Sequence, residues 1–174
     1  MEGIAASPIE VLIKGIPETL LIVLAIHIFM NIKIIPTKFI LLSVLGLITT
    51  YLIRFLPISL GVNSIILLIA WVVFSQLIYK LDISKIIKLV ISVVVTIIFI
   101  MIAEMANMVL LNAYFGEAEA TALWTSTSAL TKSLANLPAT IVFAILVFIS
   151  WLVLAKIRKN KKDKNGKSGE ETGA

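Results

Sequence analysis

The sequence predicts an all-α, polytopic membrane protein: a bundle of five transmembrane helices with short interfacial helices beside it. Three observations predict it. Hydrophobic residues make up 60% of the 174 residues and charged residues only 14%, with a mean hydropathy of +1.08, whereas a globular domain carries roughly 25% charged residues. The apolar residues are gathered into long runs, as bilayer-spanning helices require. Proline, glycine and lysine punctuate those runs at span-length intervals. One helical transmembrane domain is expected over residues 1–156, because each span alone is short of packing partners. A basic, disordered cytoplasmic tail is expected over 157–174.

The first fifteen residues read as an interfacial helix. Ser7-Pro8-Ile9-Glu10 has the form of a capping box, Ile9, Leu12, Ile13 and Ile16 share a helical face, and Gly15 is placed to stop the helix. Glu2, Glu10 and Glu18 surround the only early lysine, Lys14, which is the reverse of a positively charged leader. Pro17 opens the first span, to about Ile32. The second runs over 37–56 and the third over 62–79, with a reversal at Pro57 and Gly61 between them. Asp82 is the expected N-cap of the fourth span, which reaches about Met108. From Asn112 to Asn136 the chain is more polar, and Leu123, Leu130, Leu134 and Leu137 suggest the apolar face of an amphipathic surface helix. The fifth span starts at Pro138, capped by Asn136, and ends between Trp151 and Lys156.

Lysine and arginine set the orientation. Twelve of the fifteen fall in the first and third connections and the tail, while Lys14, Arg54 and Lys132 fall on the other side. Cytoplasmic loops collect such residues, so the expected placement is a plasma membrane with the amino end outside and the tail in the cytoplasm. The tail holds seven basic against three acidic residues from Lys156 onward. Beside a span this reads as an anchor on anionic membrane lipid rather than a nucleic-acid site, since it lacks interleaved aromatics.

That topology puts Glu18, Arg54 and Glu104 near the outer ends of three different spans. An ionised side chain at mid-bilayer costs roughly 2.5–3.5 kcal/mol on insertion scales, so mutual pairing is favourable. The three form the candidate polar cluster, either a ligand site open to the outside or a structural ion pair that fixes helix packing. Small and hydroxyl residues lead toward it: Ser43, Gly46 and Thr50 below Arg54, and Ser92 and Thr96 below Glu104. Their stripes predict direct contact between the second and fourth spans. His27 lies about 180° around the first span from Glu18 and roughly 14 Å deeper, so it belongs to a different site. Asn31, at i+4, is its candidate partner in a buried polar pair.

The sequence excludes most catalysis. Cysteine is absent and there is one histidine, so no H-E-x-x-H zinc site, thiolate nucleophile or disulfide can be built. No G-x-S-x-G pattern, phosphate-binding glycine loop or intramembrane aspartate pair occurs. No enzyme activity, metal or cofactor is expected.

Three pieces, IPETLLIVLAIHIF (Ile16 to Phe29), YLIRFLPISLGVNSIILLI (Tyr51 to Ile69) and LPATIVF (Leu137 to Phe143), carry a resemblance. They resemble the amino-terminal membrane sensor domain of accessory-gene-regulator and related quorum-sensing histidine kinases of Gram-positive bacteria. The shared features are an I-P-E-T start, an R-x-L-P…G turn and a glutamate late in the fourth span, over roughly residues 8–156. The resemblance implies a stand-alone sensor module without kinase activity and an extracellular signalling peptide as ligand. The peptide-processing protease of those systems is a poorer match, because its catalysis uses cysteine. The expected function is a non-enzymatic, sensor-like or regulatory membrane protein, with another membrane protein or a second copy as partner. The alternatives are a small transport component or a structural subunit of a membrane complex. Substrate-binding transport subunits of the vitamin type use six spans and an A-x-x-x-A contact, whereas the first span here holds only Ala25.

Overall fold

The computed structural model of the chain describes residues 8–53 and 60–170. Every regular element in these residues is a helix: α1 (Pro8–Glu10), a π-helical turn (Val11–Gly15), α2 (Ile16–Met30), α3 (Pro36–Ile53), α4 (Leu60–Tyr79), α5 (Ile83–Phe115), α6 (Glu117–Trp124) and α7 (Ala129–Glu170). The architecture is all-α. Four stretches of the described residues are long and apolar enough to cross a membrane: Val11–Met30, Pro36–Ile53, Ile83–Phe115 and Ala129–Lys161. They fit a multi-pass membrane protein. α4 adds a shorter apolar stretch, Ile65–Tyr79.

The amino-terminal helix does not stop at Gly15. That residue is right-handed helical, and the Ile16 N–H bonds back to Val11 O across the π turn. Pro17 cannot supply an N–H to the preceding turn, and a local π adjustment is one way a helix absorbs a proline. Gly15 serves close approach instead of termination, since a Cβ there would come 3.3 Å from Leu47 Cδ1 on α3. The supposed interfacial helix is therefore continuous with the first span. The Ser7 half of the capping box lies outside the described residues, as does Pro57 of the expected reversal, while Gly61 falls inside α4.

The start of α5 falls where expected, but not by the expected bond. Asp82 is extended (φ −64°, ψ 153°) and makes no side-chain cap. Its carboxylate instead takes Lys85 Nζ at 3.1 Å. α5 then runs past Met108 to Phe115, and Gly116, at φ +79°, turns the chain into α6.

α7 departs most from expectation. It begins at Ala129, nine residues before Pro138, with the Ser128 hydroxyl accepting from the Thr131 N–H at 3.4 Å. Asn136 is not a cap; it is buried inside the helix and donates to Lys132 O at 2.8 Å. Leu130, Leu134 and Leu137 face outward, while Ser133, Ala135, Asn136 and Ala139 are buried. In lipid the outside is as apolar as leucine, so small and polar residues take the helix contacts. The helix continues through Glu170, past residue 157 where a disordered tail was expected.

α2 and α5 form the centre of the bundle. α3 and α4 pack on one side and α7 on the other, with α6 and the amino-terminal turn covering one end. One core joins Val23, Ile26, Leu42, Trp71 and Val93; another joins Ala25, Ala103, Phe143 and Val147. The predicted seam between the second and fourth spans is replaced by two seams. Gly46 of α3 faces α4, where a Cβ would fall inside the Trp71 indole. Ser92 and Thr96 of α5 are buried and spend their hydroxyls on their own helix, at Lys88 O and Ser92 O.

Candidate functional site: a charged cluster at one end of the bundle

The amino-terminal segment is held to the bundle by two ion pairs. Lys14 Nζ lies 3.5 Å from Glu104 Oε1 on α5. Lys132 Nζ on α7 lies 3.9 Å from Glu10 Oε1. The Lys14 side chain is 15% exposed and that of Glu104 42%, so the first pair straddles the boundary of the packed interior. Glu18 sits one turn below Lys14, and both line a cavity of about 10 Å³ with Glu104, Thr140, Ala103 and Phe143. That volume suits about one water molecule and no larger ligand. Beside it, Glu104 also borders an open groove of about 220 Å³ between α5 and α6, lined by Met101, Met105, Met108 and Trp124.

Of the three predicted cluster residues, Glu18 and Glu104 meet around this cavity, and Arg54 lies outside the described residues. The residue that pairs with Glu104 is Lys14, which had no assigned role. Its signal was present in the sequence. Glu10, Lys14 and Glu18 recur every four residues and so share one helical face, provided the helix does not end at Gly15. Lys132 had no assigned partner and Glu10 was assigned to the capping box; the two are far apart in sequence, and only the fold of α7 against the amino-terminal turn joins them. Among the described residues no three His, Asp or Glu side chains converge as a metal-ligand set.

The opposite end carries a second polar site, where the expected His27–Asn31 pair is not made. Asn31 takes the left-handed conformation (φ 55°) that ends α2, and it is exposed. His27 instead bonds Val23 O through Nδ1 and the Tyr79 hydroxyl of α4 through Nε2, each at 2.6 Å. A carbonyl only accepts, so Nδ1 carries a hydrogen; in the neutral ring Nε2 then accepts from Tyr79. Phe39 packs 5.6 Å from the imidazole, and Lys38 Nζ stands 5.2 Å above the Tyr79 ring. Nearby, the Arg158 guanidinium of α7 donates to Ile28 O at 2.7 Å, satisfying a carbonyl in the last turn of α2.

Comparison with protein-family models, curated proteins and solved structures finds no match to this chain.

Proposed function

We propose that this chain is a non-enzymatic, multi-pass protein of the plasma membrane with a sensor-like or regulatory role. In this reading α4 is the fifth span, the amino end is outside and the tail is cytoplasmic. The observation that carries the role is the Lys14–Glu104 pair with Glu18 beside it. A half-exposed carboxylate held by a tethered lysine at the end of a bundle is a group that an outside ligand, such as a signalling peptide, can compete for. The cavity itself is too small to hold a metabolite, which weighs against a transport subunit that encloses its substrate. The sequence resemblance to quorum-sensing membrane sensors supports the same class.

The test is Glu104→Gln in the host cell, with protein level measured by immunoblot and transcripts compared with wild type and a deletion strain. The expected result is the deletion profile at the wild-type protein level. A wild-type profile at that level would overturn the sensor reading. Loss of the protein itself would assign the cluster to packing.

A further inference from the structure

We propose that Pro138 and Asn107 form a latched hinge in α7, which divides that helix into an end segment and a membrane-crossing rod. Pro138 stands inside α7. It supplies no N–H to the Leu134 carbonyl, and its ring crowds that turn, so nearby carbonyls tilt toward other donors. One of them is claimed by a neighbouring helix: Asn107 Nδ2 of α5 donates to Ala135 O at 3.0 Å, with Asn107 0% exposed. Ala135 O is the carbonyl next to the one that proline frees, so this bond ties α5 to the turn that Pro138 loosens.

The closed arrangement is incomplete. Asn107 Oδ1 and Ser133 Oγ are both buried without a hydrogen-bond partner, on the two helices that the latch joins. Buried polar atoms without partners favour any alternative that supplies one. Swinging the 129–137 segment away from α5 breaks the Asn107–Ala135 bond, parts Ala135 from Leu111 and Ala120, and admits water to both atoms. The bistability is therefore local, and proline is what permits it. α7 is also tied on each side of the hinge. Lys132 pairs with Glu10 before it, and Arg158 holds Ile28 O after it. Movement of the amino-terminal turn is thus delivered to the hinge through Lys132, whether or not the charged cluster receives a signal.

The chain has no cysteine, so one introduced thiol reports cleanly. Ser133→Cys, 1% exposed in the parent residue, is labelled in nanodiscs with a water-soluble maleimide. Adding Asn107→Ala should raise the labelling rate about tenfold, the factor expected for one lost buried hydrogen bond. Adding Pro138→Ala to that variant should return the rate to its starting value, because a continuous helix needs no latch. An unchanged rate in Asn107→Ala overturns the proposal. So does a raised rate that Pro138→Ala leaves raised, since that is the behaviour of a merely loosened bundle.

Discussion

At Gly46 a single hydrogen atom decides whether two helices can meet. The Trp71 indole occupies the volume where any other residue would place its Cβ, and Trp71 is itself buried in the core shared by α2, α3, α4 and α5. Gly46→Ala is expected to destabilise the protein by about 1–3 kcal/mol, the usual cost of overpacking, seen as a lower midpoint in denaturant-detergent unfolding. Trp71→Phe in the same chain should recover part of the loss; no recovery would show that the strain lies elsewhere. The glycine was legible in the sequence as a packing residue, but its partner was not. Periodicity marks which face of α3 is small, and says nothing about which helix brings the large side chain. His27 teaches the same point. Its burial was foreseen from its position in an apolar run, yet the i+4 partner was the wrong one. The left-handed ending at Asn31 removes that side chain, and Tyr79, fifty-two positions away, supplies the hydroxyl.

Helix boundaries show where sequence reading is weakest. Gly15 and Pro138 are ordinary stop and start signals in water, and neither ends a helix here. In a bilayer an interrupted helix exposes backbone groups to a medium that cannot hydrogen-bond them. Continuing the helix with a π turn, or with an asparagine from a neighbour, is the cheaper solution. The same accounting applies at the end of α2, where Arg158 accompanies the left-handed Asn31 in closing the last turn. Arg158→Ala should cost about 0.5–1.5 kcal/mol, the net worth of one hydrogen bond. The loss should appear as faster amide exchange confined to residues 28–32, and Arg158→Lys should restore it only in part, since lysine lacks the planar fork. Uniformly faster exchange along α2 would contradict a local capping role.

For the whole molecule, the distribution of charge is the strongest constraint. Lys33, Lys80, Lys85 and Lys88 are exposed around the end that Arg158 closes, whereas Glu10, Lys14, Glu104 and Lys132 gather at the other. With the amino end outside, single cysteines replacing Ser84 and Ser168 should stay unlabelled by an impermeant maleimide applied to intact cells, and label after permeabilisation. Labelling of Ser168→Cys from outside would reverse the proposed orientation. Labelling of Ser84→Cys alone would change the number of spans.

By itself the sequence determined the helical class, the long apolar runs that fit a multi-pass membrane protein, and the gathering of most lysines toward one end. All three follow from hydropathy and charge, which act residue by residue along the chain. Only the tertiary structure decided that Lys14 is the partner of Glu104, that α3 meets α4 through Gly46, and that α7 runs unbroken through Pro138. Those outcomes depend on which helices become neighbours. That choice is made by close packing and by satisfying stray backbone groups; periodicity marks a face on one helix and does not name the helix that meets it.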